Sequence, residues 1–376
     1  MIDKILLFPY WLTLKLRNRR WNKPGRAQSA EVPTICVGNI TAGGTGKTPH
    51  TEMILRMLME SDEWGAKNIA VLSRGYKRSS RGFQQVTREG TAGMFGDEPL
   101  QIKKKFPGVT VAVDKDRIEG CRLLCHPEDL KDPSKAKKCA HREFLPADLV
   151  VLDDAFQYRR LKADLNIVLV DWNRPLHKDM LLPFGRLRDL PERLHDADII
   201  IVTKCPYELD DWERMTFAYT MGFKEYSSSG CVGVTHDGKR RTVLFTHICY
   251  SHIQPVYEVS DPRYVYSKRM ILFTGIAKDT PLRNYLSDTY KIVRRFNFPD
   301  HHRYTRSDFA QIRRAVKQWP TAAVATTEKD AQRVLDFNGM PQELRERMFQ
   351  IPISVEFLSE RERNTFETAL KTLKKI

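Results

Sequence analysis

The sequence predicts an α/β fold: a parallel-sheet domain, then a second, smaller α/β domain joined to it by a short β-ribbon linker. Three observations carry this expectation. Short apolar runs recur along the chain with helical patterns between them, as βαβ units require. One of these runs leads into a glycine-rich loop that opens a helix. At 376 residues, the chain also exceeds the size at which one core usually stops growing.

Residues 1–30 stand apart. Ile5, Leu6, Leu7, Phe8, Tyr10, Trp11, Leu12, Leu14 and Leu16 form an apolar, aromatic-rich stretch, overlapped and followed by Lys15, Arg17, Arg19, Arg20, Lys23 and Arg26. The stretch is too short to span a bilayer and contains Pro9. It has neither the charge order nor the cleavage site of a signal peptide. It fits an interfacial anchor, with Tyr10 and Trp11 at headgroup depth and the basic cluster on anionic lipid. The alternative is a helix packed on the protein's own core.

The run Pro33–Val37 reads as a buried strand, and Met53, Ile54, Met57 and Leu58 recur at helical spacing. Between them lies Gly38-Asn39-Ile40-Thr41-Ala42-Gly43-Gly44-Thr45-Gly46-Lys47-Thr48-Pro49. Strand, glycine-rich loop, Gly-Lys-Thr and helix together make a P-loop, so the first domain is of the P-loop NTPase type. Gly43, Gly44, Thr45 and Gly46 would cradle phosphates through backbone N–H groups at a helix N-terminus. Lys47 would reach the β/γ-phosphates and the Thr48 hydroxyl would ligate Mg²⁺, so ATP and Mg²⁺ are the expected cofactors. Thr41 stands where the usual pattern has glycine, which implies a modified loop path.

Beyond the loop, Asn68–Leu72 ends in Ser73-Arg74-Gly75-Tyr76, candidates for the substrate or phosphate rim because ligands bind at strand carboxyl ends. Asp97 and Glu98 open a helix, where they could simply complement its dipole. Val109–Val113 is a further strand, and residues 126–143 read as an exposed connection. Leu149-Val150-Val151-Leu152-Asp153-Asp154 is a buried strand ending in two carboxylates, a Walker B element that would hold Mg²⁺. Strands over 165–171 and 197–204 bring the parallel sheet to at least five. Domain limits are expected at 31–235 and 236–376, with Val243–Phe245 and Val256–Val259 forming the ribbon. Strands then follow at 270–276, 290–293 and 322–325.

Lys and Arg outnumber Asp and Glu by 62 to 47, a formal charge of +15 that favours an anionic partner: nucleic acid, anionic lipid or a phosphorylated substrate. Seven irregularly spaced cysteines do not form a disulfide framework and point to a reducing compartment. Cys121, Cys125, Cys139 and His141 could be imagined as zinc ligands, but their spacing is not that of common structural sites.

Taken together, these motifs resemble the tetraacyldisaccharide 4′-kinase family. The matching residues are the Gly38–Pro49 loop, Ser73–Tyr76, Gly96–Pro99, Leu152-Asp153-Asp154 with Gln157, Leu182-Pro183, Gly185, Leu187-Arg188 and Thr203-Lys204. Gly275-Ile276, Phe298–Tyr304 and Thr327-Glu328-Lys329-Asp330 complete the order. Thr41 in the loop is itself a trait of the family. Departures are Ala155 for Gly, Tyr158 for His and Asp189 for Glu.

The resemblance implies transfer of the ATP γ-phosphoryl group to the 4′-hydroxyl of tetraacyldisaccharide 1-phosphate, a lipid A precursor. It implies Asp97 as catalytic base with His301 orienting it, Lys47 and Thr48 on the nucleotide, and Asp153 and Asp154 on Mg²⁺. Ser73, Arg74, Gln157 and Arg188 are its candidate substrate contacts, joined by Asp189, which could instead belong to the metal or nucleotide environment. A monomer, peripheral on the cytoplasmic face of the inner membrane, is the expected setting. Rival readings are a P-loop kinase of a soluble metabolite and a nucleotide-dependent nucleic-acid-binding protein. No recognition helix or RNA-binding aromatic motif encourages the latter, and no nucleic-acid partner is expected.

Overall fold

In the structure, a computed structural model describing residues 2–131, 139 and 143–374, neighbouring residues of each expected strand face opposite ways. Ile35 and Val37 enter one core while Cys36 enters the other. Ala70 and Leu72 split in the same manner from Ile69 and Val71, as do Val150 and Leu152 from Leu149 and Val151. A strand that is apolar at every position must be covered on both faces, which parallel sheets achieve with their crossover helices.

The elements of the larger part are helix α1 (Ile2–Trp21), strand β1 (Thr34–Asn39), α2 (Lys47–Glu60), β2 (Ile69–Ser73), α3 (Asp97–Lys105) and β3 (Thr110–Val113). They continue with α4 (Arg117–Cys125), β4 (Leu149–Asp153), β5 (Leu165–Asp171), β6 (Ile199–Thr203) and β7 (Arg240–Tyr250). The sheet has eleven strands, and those from β7 to β3 run parallel in the order β7-β6-β5-β1-β4-β2-β3. Antiparallel strands at 84–85, 223–227 and 232–235 extend its edges, so the sheet is mixed. With β1 between β4 and β5, the P-loop and the Asp153 strand end lie side by side at the carboxyl edge.

A smaller sheet of five strands follows. Its parallel members are β8 (Arg269–Thr274), β9 (Lys291–Asn297), β10 (Ala323–Thr327) and β11 (Met348–Ile351), in the order β11-β10-β8-β9. Helices α5 (Arg306–Gln318) and α6 (Glu328–Leu335) belong to this part. The last strand, β12 (Ile353–Phe357), leaves it and pairs antiparallel with β7. Helix α7 (Glu360–Lys371) then buries Phe366 and Leu370 in the large-sheet core.

The ribbon therefore differs from the sequence reading. Val243–Phe245 lies in β7 and pairs with β6 inside the large sheet, so that sheet runs past residue 235. Residues 256–259 form no strand; Val256 and Tyr257 pack on the small-sheet core. The partner of β7 comes instead from residues about a hundred positions downstream, a pairing without any local signal. Among the described residues, no helix is long and apolar enough to cross a membrane.

The C-terminal return is a packing interaction with a measurable consequence. Phe366 is fully buried, the Trp64 indole donates to the Leu370 carbonyl at 3.0 Å, and Glu362 accepts from Arg214 and from the Phe245 amide at 2.8 Å each. Phe366→Ala is expected to lower stability by about 3–5 kcal/mol through lost burial and the cavity left behind. Urea denaturation followed by fluorescence measures the loss.

Candidate active site

The loop after β1 is held from both sides. Asn39 Nδ2 donates to Thr45 Oγ1 at 2.7 Å, and Thr203 Oγ1 donates to the Thr45 carbonyl at 2.9 Å. Lys204 donates to the Gly44 carbonyl and pairs with Asp171 at 2.6 Å. On the other side, residues 186–188 run alongside: Ala42 N donates to Arg186 O at 2.6 Å and Arg188 N to Ile40 O at 2.8 Å. Thr41 forms an isolated β-bridge with Leu187 and is buried. A side chain thus packs where other P-loops need glycine, which explains the variant loop. Gly43 (φ 110°) and Gly46 (φ 90°) occupy the left-handed region that glycine tolerates. The guanidinium of Arg186 lies 3.1 Å, and that of Arg174 3.7 Å, from where a Cβ on Gly43 would be, so two cations border the phosphate cradle.

Lys47 opens α2, with its ammonium 3.7 Å from Asp154 Oδ1. Arg188 Nη1 reaches Asp154 Oδ2 at 3.4 Å. Asp154 sits at φ 48°, an uncommon conformation for a non-glycine residue and one that functional sites tolerate. Asp153 is buried; its Oδ2 accepts from Ser73 Oγ at 3.1 Å, and its Oδ1 has no hydrogen-bond partner among the described residues. Burial, then the charges of Glu98 and Asp154, push the Asp153 carboxyl up, against Lys47 and the Ser73 hydrogen bond. The Arg117 guanidinium is buried below, donating to the Asp153 carbonyl at 3.4 Å.

The second constellation spans the two sheets. Asp97 begins α3 and is buried. Its Oδ2 receives His301 Nδ1 at 3.2 Å and Arg333 Nε at 3.1 Å, with Arg333 Nη2 closer still. Lys329 Nζ pairs with Glu98 Oε1 at 2.9 Å and lies 3.5 Å from His301 Nε2. Arg333 Nη2 also lies 3.1 Å from His301 Nδ1, so each ring nitrogen of His301 faces a cationic donor, with Asp97 Oδ2 beside Nδ1. Burial alone would raise the Asp97 carboxyl; the His301 hydrogen bond and the cations Lys329 and Arg333 outweigh it and hold the group well below the usual carboxylate range. Asp330 orders this side by accepting from Gly275 N at 2.9 Å and Arg333 Nη1 at 2.8 Å. His301 itself adopts φ 61°.

The structure thus brings Lys47, Asp154 and Arg188 together next to Asp153, and Asp97 together with His301, with Glu98 close enough for its charge to act on Asp153. Gln157 Nε2 donates to the Asn39 carbonyl at 3.2 Å, and Arg74 is exposed. Two of the expected substrate contacts lie inside the protein. Ser73 is buried and supports Asp153 rather than forming an open rim. Asp189 is fully buried facing α1, where it binds Arg17 at 2.7 Å and Asn18 at 3.0 Å. Tyr158 donates to Asp116 Oδ1 at 2.7 Å. Of the imagined zinc ligands, His141 lies outside the described residues, and Cys121, Cys125 and Cys139 form no three-ligand group among those described. Sequence reasoning missed Arg333, Arg117, Arg174 and Arg186; Arg333 lay three residues past a quoted motif.

A family profile described as "Tetraacyldisaccharide-1-P 4'-kinase" matches residues 4–374. A protein named tetraacyldisaccharide 4'-kinase from Parabacteroides distasonis is 36% identical over 373 residues, covering 97% of this chain and 92% of that protein. Proteins of the same name from Porphyromonas gingivalis (34% identical, 94% and 92% covered) and Cytophaga hutchinsonii (33%, 98% and 96%) are similar along the same length. Among solved structures, the "apo" form of LpxK from Aquifex aeolicus in complex with ATP shares the fold, with a TM-score of 0.68, 23% identity and 99% of each chain covered.

His50, on the first turns of α2, gives a pH prediction. Its Nδ1 contacts the Gly46 carbonyl at 2.7 Å and its Nε2 contacts Thr246 Oγ1 at 2.9 Å. Burial pulls its pKa from 6.5 to about 4, with Gly46 partly opposing and the Lys204 charge adding. Between those values the unfolded chain binds a proton that the native state refuses, so stability rises with pH. His50 is therefore expected to remove roughly 3 kcal/mol of stability as pH falls from 7 to 4. Urea melts at several pH values should show this slope in wild type and a shallower one in His50→Gln.

Proposed function

We infer that this chain, which belongs to the tetraacyldisaccharide 4′-kinase family, phosphorylates the 4′-hydroxyl of tetraacyldisaccharide 1-phosphate at the expense of ATP, giving lipid IVA. It is an enzyme of lipid A biosynthesis. The observation that carries the site assignment is the buried Asp97–His301 contact between residues of the two sheets, next to Glu98, whose charge acts on Asp153.

In this reading the loop N–H groups and Lys47 bind the nucleotide phosphates, with Arg174 and Arg186 adding positive charge at the mouth. Thr48, Asp153 and Asp154 would hold Mg²⁺, for which the unpartnered, buried Asp153 Oδ1 is a suitable ligand; when bound, the ion would neutralise charge on the transferring phosphoryl group. Asp97 accepts the 4′-hydroxyl proton as the new P–O bond forms and the bond to ADP breaks. A carboxylate held this firmly ionised is a weak base. Phosphoryl transfer nevertheless passes through a loose transition state, in which the hydroxyl proton leaves late and position matters more than base strength. His301 orients the acceptor oxygen of Asp97, and Arg333 holds both groups.

Helix α1 supports placement on a membrane. One face docks through Leu14, Tyr10 and Trp11, while Phe8 and Leu16 are 54% and 55% exposed. Leu7 and Tyr10 form a cavity of about 610 Å³ with Leu182, Pro183 and Phe184. Arg19, Arg20, Lys23 and Arg26 are exposed nearby in sequence. This apolar surface with a basic flank is the composition of an interfacial anchor, and it fits the cytoplasmic face of the inner membrane, where an acylated substrate resides.

Labelled ATP, Mg²⁺ and detergent-dispersed tetraacyldisaccharide 1-phosphate test the reaction. Asp97→Ala is expected to lower kcat by ~10²-fold or more. Arg333→Lys, which keeps the charge but loses the forked contact, should lower kcat with little change in KM for ATP. Full activity of Asp97→Ala removes the base assignment; ATP turnover with soluble acceptors alone favours a metabolite kinase.

Flotation with vesicles containing anionic lipid tests the surface. Wild type is expected to float, and Phe8→Asp with Leu16→Asp to weaken binding about 10-fold or more, since each apolar side chain buried in the interface contributes ~1.5–3 kcal/mol. Equal flotation of the double variant sinks the anchor.

A further inference from the structure

Away from this site, the ribbon between the two sheets gathers three metal-ligating side chains on one face. β7 and β12 pair antiparallel with His247 opposite Glu356. Side chains alternate along a strand, so Cys249, two residues on, shares the face of His247. His247 Nε2 lies 3.1 Å from Cys249 Sγ. One ligand atom from each of His247, Cys249 and Glu356 falls within 4.8 Å of the others. Tetrahedral zinc, with sulfur at ~2.3 Å and nitrogen at ~2.0 Å, sets its ligand atoms roughly 3.5 Å apart, so small side-chain movements would close the set.

The surroundings suit an ion. His247 is only 8% exposed, and its Nε2 faces Cys249. The Tyr207 ring meets the imidazole edge-on at 5.1 Å and covers one side. Cys249 is half-buried and Glu356 exposed, which leaves an entry path from solvent. One thiol, one imidazole and one carboxylate are a borderline-soft donor set, which selects zinc-class ions over Mg²⁺ or Ca²⁺.

We propose that His247, Cys249 and Glu356 bind a zinc-class divalent cation that staples together the two strands joining the large and small sheets. Three protein ligands leave the fourth tetrahedral position to water. On binding, the Cys249 thiol releases its proton to solvent as the sulfur–metal bond forms. Burial, followed by the Glu356 charge and hydrogen bond, pushes that thiol up to about 11, so metal and proton compete for the sulfur. The staple lies one residue from Thr246, whose hydroxyl contacts His50 of the P-loop helix.

The test uses the full chain, reduced and stripped with a chelator, then titrated with Co²⁺ as a coloured probe. Wild type is expected to bind stoichiometrically with a thiolate-to-cobalt charge-transfer band, displaced by Zn²⁺. Cys249→Ser should abolish the band, and Glu356→Gln should weaken binding by about 10-fold or more. Zn²⁺ should raise the wild-type Tm and leave that of Cys249→Ser unchanged. Absence of the band in wild type overturns the proposal. So does an unchanged band in Cys249→Ser, which would put the ion on other thiols. Glu356 is exposed, so Glu356→Gln keeps the fold; unchanged affinity in that variant overturns the proposal even where Cys249→Ser folds poorly.

Discussion

The arrangement depends on one buried carboxylate. Asp97 belongs to the large-sheet half, while the groups that make its burial tolerable, His301, Arg333 and Lys329, come from the small-sheet half. An ion taken from water costs several kcal/mol unless its geometry is good and its lone pairs are satisfied. The forked Arg333 contact supplies that geometry. Neighbouring pairs repeat the pattern between α3 and α6: Glu98 with Lys329 at 2.9 Å, and Lys105 with Glu328 at 2.8 Å. These pairs set the register between the halves. Through that register His301, a residue about two hundred positions from Asp97, comes to rest against it.

The nucleotide end obeys a different constraint. A loop that turns its N–H groups toward phosphate must have its outward carbonyls and side chains supported from outside. Thr203, Lys204 and residues 186–188 provide this support, which is why strand ends far apart in sequence carry polar residues there. The Thr41–Leu187 bridge belongs to the same scaffold. The bridge is made by backbone groups, and the Thr41 side chain is buried beside it.

These two constraints also decide what could be read in advance. The parallel strands were legible because burial on both faces leaves continuous apolar runs. The P-loop and Asp153-Asp154 were legible because backbone geometry and ion chemistry demand fixed residue types at fixed spacing. The β7–β12 pairing was not, since nothing near Val243 announces a partner beyond residue 350. Arg333 was equally silent: on a helix surface it resembles any solvated arginine until Asp97 is placed opposite. Asp189 misled for the converse reason. It follows Arg188 in a polar stretch, and one-dimensional reading cannot say which of two adjacent charges turns inward.

That pair shows how the N-terminal helix joins the rest. Arg188 reaches Asp154 at the nucleotide site while Asp189, at the adjoining bend, turns back to hold Arg17 and Asn18 of α1. The Tyr10 hydroxyl approaches the Arg188 carbonyl at 3.4 Å, and Arg159 ties Asn18 at 2.6 Å. Docking of α1 is thus not an appendage to the fold. The carboxylate that anchors it has no exposure to water while α1 is docked, so detaching the helix would break the Arg17 ion pair and the Asn18 hydrogen bond. The exposed face of α1 and the carboxylates of the phosphate site are consequently held in one frame, separated by two consecutive residues.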